Sequence, residues 1–169
     1  MNLQEAIIYV STYAKHNNGS LSGEWVNLSK FNDYDEFVSY IKELHSDEEY
    51  PEFMFQDFEN IPKEFVEEGY FNSDFFELRD LVEDINSEAY LAFCDHYGCP
   101  LLDSKNDFES SYQGEWESEE AFGEQLFDEL YLHNVPDSVR FYIDYDKFTR
   151  DLFICDYTYV DGFVFCNNY

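Results

Sequence analysis

Cys94, His96 and Cys99 are residue types that ligate zinc, and they fall within six positions of one another. A closed zinc site takes four ligands, and no second Cys/His cluster lies nearby in the sequence. On a helix over "SEAYLAFCDHY", Cys94 shares the side of Tyr90 and Tyr97, so a small buried thiol is the simpler reading. Carboxylate pairs such as Asp57 and Glu59 are the material of acid–base catalysis, but among 38 Asp and Glu such pairs arise by chance. Gly-rich phosphate loops, H-E-x-x-H and G-x-S-x-G are all missing. The stretch "DSKNDFESSYQGE" lacks the register of a calcium loop. His16, His45 and His133 are isolated and read as surface or turn residues. No catalytic, cofactor or metal site is expected.

The chemistry that remains is charge. Against 38 acids stand nine Lys and Arg, a formal net charge of −29, far outside the magnitude of about 2 to 8 that suits a small soluble domain. Such a field repels nucleic acid and anionic membrane surfaces and attracts basic partners. No direct nucleic-acid binding is expected. Aromatic residues make up 21% of the chain, and only four Pro and seven Gly are present, so this is a folding sequence and not an acidic disordered tail. No stretch approaches the roughly 18 apolar residues of a membrane helix. "MNLQEAIIYVSTYAK" has no basic leader of a secretory signal. Four cysteines in 169 residues fit reduced thiols in a cytoplasm.

The elements that position these acids fall into three regions. In the first, residues 1–61, "AIIYVSTYA" and "EWVNL" read as strands around a turn-rich "KHNNGSLSG". "DYDEFVSYIKELH" places Phe37, Ile41 and Leu44 at helical spacing behind a cap at Asn32 or Asp33. "EFMFQDFE" completes a small antiparallel sheet. The second, 62–106, reads as helical, with Phe75, Leu78, Val82 and Ile85 on one face and Gly98 closing a second helix begun after Ser87. In the third, 107–169, Ser118 caps a helix over 119–132. Pro136 suits the first turn of another near "PDSVRFYI". "LFICDYTYVDGFVFCNN" reads as two strands around Asp161-Gly162.

On the 119–132 helix, Phe122, Leu126 and Leu130 make an i, i+4 ridge for the core. Glu120, Glu124 and Asp128 make a second ridge about 200° round, facing solvent. Like charges at that spacing cost about 0.2–0.5 kcal/mol per pair in an isolated helix. Glu119 and Glu120 recover part of this at the positive end of the helix dipole, and Asp128 and Glu129 do not. Glu77, Asp80 and Asp84 likewise avoid the apolar face of their helix. Seven acids separate Lys42 from Lys63, and ten separate Lys105 from Arg140, with no Lys or Arg between. Ordinary solvated faces mix both signs; adaptation to high salt produces a similar excess. At the density of duplex DNA, about one charge per 1.7 Å, the 38 acids would span about 65 Å. A compact chain of this length is only ~40 Å across, so display at that density needs an elongated or dimeric molecule.

Particular motifs then resemble a known family. Tyr112-Gln113-Gly114, Trp116, Tyr142-Ile143-Asp144-Tyr145, Arg150-Asp151-Leu152 and the Asp161-Gly162 turn resemble the C-terminal part of ArdA-type antirestriction proteins. "IIYVSTYAKHNNGSLSGEWVNL", "FQDFEN" and "INSEAYLAFCDHYG" are similar to that family's opening strands, short acidic segment and central helix. The sequence departs from the pattern at "DFENI", where Gly commonly follows the acids, and in its cysteines at 94 and 99. The resemblance implies an elongated three-domain α+β homodimer, free of catalysis and cofactor. It further implies a protein carried by mobile elements in a bacterial cytoplasm, whose acidic surface imitates bent DNA. Its partner would be the DNA groove of a type I restriction–modification enzyme, on the methyltransferase core. The phosphate-mimicking residues would be Asp57, Glu59, Glu77, Asp80, Asp84, Glu115, Glu117, Glu120, Glu124 and Asp128. The competing expectation is an acidic module for another basic DNA- or nucleoid-associated protein.

Overall fold

A computed structural model describes residues 1–19 and 23–167. Ser20, Leu21 and Ser22, in the expected turn-rich loop, and Asn168, at the end of the expected hairpin segment, lie outside the described residues. The fold is α+β and divides into two compact units, Met1–Glu88 and Ala89–Tyr169. The expected boundary at 61/62 falls inside the first unit.

The first unit begins with β1 (Ile7–Thr12), α1 (Tyr13–Asn17), β2 (Glu24–Asn27), α2 (Tyr34–Leu44) and β3 (Phe53–Glu59). The strands form an antiparallel sheet in the order β2-β1-β3, with Ile8 opposite Val26 on one side and Phe58 on the other. β-Branched residues suit this pleated surface, and Ile8, Val10 and Val26 are buried, as are Phe37 and Ile41 of α2; Phe37 packs on Phe55 of β3, 6.5 Å away. Asp33, one of the two expected caps, accepts from the Glu36 amide, and the Glu36 carboxylate accepts from the Asn32 amide, a reciprocal arrangement that fixes where α2 starts.

A short hairpin, β4 (Val66–Glu67) with β5 (Tyr70–Phe71), precedes α3 (Asp74–Leu81). Residues 62–106 are therefore not wholly helical, because two-residue strands are too short to leave a period-two signature. Phe71 packs 5.5 Å from Phe37 and 5.6 Å from Phe75, joining hairpin, α2 and α3 in one aromatic core. Phe75, Leu78 and Val82 are buried as expected, but α3 ends before Val82, and Ile85 lies beyond it, partly exposed.

The second unit holds most of α4 (Ser87–Tyr97), then α5 (Lys105–Ser111), β6 (Tyr112–Glu115), α6 (Glu119–Leu130), α7 (Tyr145–Cys155), β7 (Tyr157–Val160) and β8 (Phe163–Cys166). Its antiparallel sheet runs β6-β8-β7. Asp161 and Gly162, at φ 50° and 92°, supply the two positive-φ positions that a tight hairpin between β7 and β8 needs. Of "LFICDYTYVDGFVFCNN", Tyr157–Cys166 is the expected hairpin. Leu152–Cys155 instead close α7, which Asp144 caps by accepting from the Lys147 amide. Residues after Pro136 form a 3-10 helix, Asp137–Tyr142, with Pro136 just before it.

Two contacts set the position of α6. Phe127 lies 5.0 Å from Phe148 and 5.2 Å from Tyr145, and Gly123 lets Thr149 of α7 approach the backbone. This turns the packing face toward 122, 123 and 127. Leu130, expected on the core ridge, is 51% exposed as a result, and the helix stops there and not at 132.

Candidate functional site

The acidic surface around α6 starts with a backbone irregularity. Between Tyr112↔Phe165 and Glu115↔Phe163 the register of β6 slips by one residue, and Gly114 sits at φ 105°, a bulge that only a residue without Cβ forms easily. Beyond it the Trp116 amide donates to the Gly162 carbonyl and the indole Nε1–H to the Gln113 carbonyl, which fixes the ring against Phe122, 5.2 Å away. Glu115 and Glu117, on either side of Trp116, are exposed.

Ser118 then starts α6: its hydroxyl accepts from the Ala121 amide, one of the unsatisfied donors of the first turn. The Glu120 carboxyl is held below its ordinary range by its own backbone N–H and by the Ser118 hydroxyl. Glu120, Glu124 and Asp128 are all exposed, so the expected solvent-facing ridge is present. Glu124, Asp128 and Glu129 line a shallow groove of about 630 Å³ with Trp116, Ala121 and Gln125. Asp128 is tied down by the Tyr145 hydroxyl at 2.7 Å, and this bond holds the phenol protonated to higher pH than usual. Arg150 pairs with Asp151 at 3.4 Å and shares a cavity of about 400 Å³ with Glu119, Glu120 and Asp146. The first turn of α6 is thus the part of the ridge nearest that guanidinium.

In the first unit, a bulge again decides exposure. Opposite Tyr9/Val10 the register of β3 shifts, leaving Gln56 as the extra residue. Met54 and Phe55 are consequently both buried, and Asp57 and Glu59 both point to solvent. Glu77, Asp80 and Asp84 are exposed on and just after α3. Asp80 is not an unpaired charge: it accepts from Arg79 at 2.7 Å. That guanidinium is itself buried, donating to the carbonyls of Leu28, Phe31 and Asn32 and lying 5.0 Å from the Phe76 ring centre. Sequence spacing alone treats Asp80 like its neighbours; the structure makes it the counter-ion of a core arginine.

The Cys and His residues are placed differently from one another. Cys94 is buried while His96, two positions on, is exposed with its ring against Tyr97, so Cys94, His96 and Cys99 do not form a ligand set. His45, expected as a surface or turn residue, does lie in the turn that ends α2 but is only 2% exposed, with its ring near Phe53. His45, Asp47 and Glu48 are grouped closely enough for a cation, and the cation present is Lys15, whose Nζ donates to His45 Nδ1 and Asp47 at 2.9 and 2.8 Å. Sequence reading missed this cluster, since Lys15, which joins its three neighbouring members, lies 30 positions earlier on α1. It also missed the exposed apolar run Val139, Phe141 and Tyr142.

Fold and surface together define an α+β protein whose exposed chemistry is rows of carboxylates on helices and a bulged strand. Among the described residues no helix is long and apolar enough to cross a membrane. The chain belongs to the ArdA family of antirestriction proteins, whose sequence model matches residues 8–165. No curated protein matches it.

Proposed function

We propose that this antirestriction protein works by imitating DNA: its carboxylate rows occupy the DNA groove of a type I restriction–modification enzyme, on the methyltransferase core. The observation that carries this is the charge density of α6. Its 12 residues rise about 18 Å and carry five carboxylates, one per about 3.6 Å. One strand of duplex DNA carries a charge per 3.4 Å. A groove evolved to pair with phosphates meets on α6 nearly the same linear density, without a covalent bond to break. No catalytic residue or cofactor belongs to this reading.

Asp57, Glu59, Glu77, Asp84, Glu115, Glu117, Glu120, Glu124 and Asp128 are assigned as phosphate mimics, with Asp80 a partial one because Arg79 shares it. The three-part division at 61 and 106 and a bacterial cytoplasmic setting belong to the same proposal, as does a homodimer. Dimerisation is supported by Phe141 and Tyr142, 97% and 84% exposed, since large rings left in water favour burial. Sedimentation as a monomer at micromolar concentration would remove that part.

The test is displacement. Labelled duplex DNA bound to a type I methyltransferase core is titrated with the protein at low and moderate salt. Stoichiometric release that weakens as salt rises is expected, because a groove that trades phosphates for carboxylates remains governed by its ions. Failure to release DNA at any salt refutes the mimic. Tight binding to another basic DNA- or nucleoid-associated protein without DNA displacement would instead favour an acidic interaction module.

A further inference from the structure

The two cysteines set aside as zinc ligands meet in a different way. α4 ends in a left-handed residue, Gly98 at φ 64°, and the Cys99 amide donates back to the Cys94 carbonyl at 3.0 Å. This six-residue closure brings the side chains at its two ends together. The backbone atoms so joined hold the two Cα atoms close to the roughly 4.4–6.8 Å that a disulfide spans. Both thiols are free. Cys94 is buried, and Cys99 is partly exposed. Burial pushes the Cys94 thiol up to about 12, and its side-chain hydrogen bond with Cys99 pushes the same way. Cys94 therefore stays protonated and does not start a reaction, whereas Cys99 is the thiol that a soluble oxidant meets.

We propose that Cys94 and Cys99 form a reversible intramolecular disulfide under peroxide, a redox-sensitive clasp on the C-terminal turn of α4. In the first step the Cys99 sulfur attacks one peroxide oxygen and the O–O bond breaks. This yields a sulfenic acid on Cys99 and one water. The Cys94 sulfur then attacks the Cys99 sulfur and the S–O bond breaks; the hydroxide leaves with the Cys94 proton as a second water. Two thiols lose two electrons and two protons in total, and one peroxide is reduced to two waters. The turn already holds the pair in place, so little backbone movement separates the reduced and oxidised forms. A small-molecule dithiol reverses the step by thiol–disulfide exchange.

The chain offers a convenient readout, because cleavage after Lys and Arg releases residues 80–105 as one peptide containing these two cysteines and no other. The native protein is treated with hydrogen peroxide, its remaining thiols are alkylated after unfolding, and the peptide is weighed. A peptide two hydrogens lighter, with neither cysteine alkylated and both recovered after dithiothreitol, is the expected result. In Cys99→Ser, Cys94 should resist the same treatment and alkylate fully once unfolded. A Cys99 sulfinic or sulfonic acid beside a still-reduced Cys94 overturns the proposal. So does a Cys99 that stays reduced under excess peroxide, or one found bonded to Cys155 or Cys166.

Discussion

Replacing Gly123 by alanine separates two effects of opposite sign. In an exposed helix interior the change stabilises by about 1 kcal/mol, since glycine is the poorer helix former by that amount. Here the new Cβ would overlap Thr149 Oγ1 and lie 2.8 Å from its Cβ and 3.0 Å from its Cγ2. Rotating the threonine clears the hydroxyl but leaves its Cβ too close, so α6 and α7 must move apart. Overpacking of this kind costs about 1–3 kcal/mol, and an overlap with a branch point falls at the upper end. Gly123→Ala should therefore destabilise by about 1–2 kcal/mol net, read from urea unfolding followed by the fluorescence of Trp116, which packs on Phe122 beside the substituted position. Thr149→Ala removes two of the three clashing atoms. The double variant should accordingly recover part of the loss, a coupling that independent sites would not show. A Gly123→Ala protein about 1 kcal/mol more stable than the parent would refute the claimed seam between the two helices.

Glu120→Gln, Glu124→Gln and Asp128→Asn together should weaken inhibition of a type I enzyme modestly and more at low salt than at high, because exposed charges each contribute little; complete loss with Glu124→Gln alone would sink the distributed mimic. Arg79→Met leaves the Phe31 and Asn32 carbonyls without their donor, the Leu28 carbonyl keeping the Phe31 amide, and should cost about 2 kcal/mol or more at roughly 1–3 kcal/mol per unsatisfied group. Asp80→Asn, at the exposed end of the same pair, should cost under about 1 kcal/mol, and equal losses in the two variants would contradict this division. Burial and then Lys15 hold the His45 pKa below that of free histidine. The unfolded chain thus takes up the proton first as pH falls below about 6.5, and the stability this group provides above that pH is lost on going down toward its folded value. Between pH 7 and 5 the parent should lose stability relative to His45→Gln in chemical denaturation, the carboxylate background being common to both; parallel profiles would show that the ring is not held neutral.

Local rules settled a good deal of this protein in advance. Ser118 and Asp33 start helices because their side chains satisfy backbone donors within three residues, and Asp161-Gly162 turns a hairpin because two consecutive residues accept positive φ. The outward ridge Glu120, Glu124, Asp128 follows from helical period alone. Such features depend on neighbours in sequence, and so does net charge, which already pointed to basic partners. Leu152–Cys155 misled because Phe, Ile and Cys suit strand and buried helix alike, and only packing of α7 on α6 chose between them. The exposure of Leu130 depends on where Phe127 and Gly123 meet α7. The burial of His45 and the capture of Lys15 join α1 to the chain after α2. The partial neutralisation of Asp80 arises because Arg79 reaches carbonyls about 50 positions earlier. Charge, capping and turns were legible because they act over a few residues; which face of a helix is buried, and which acid keeps its charge, waited on contacts between distant segments.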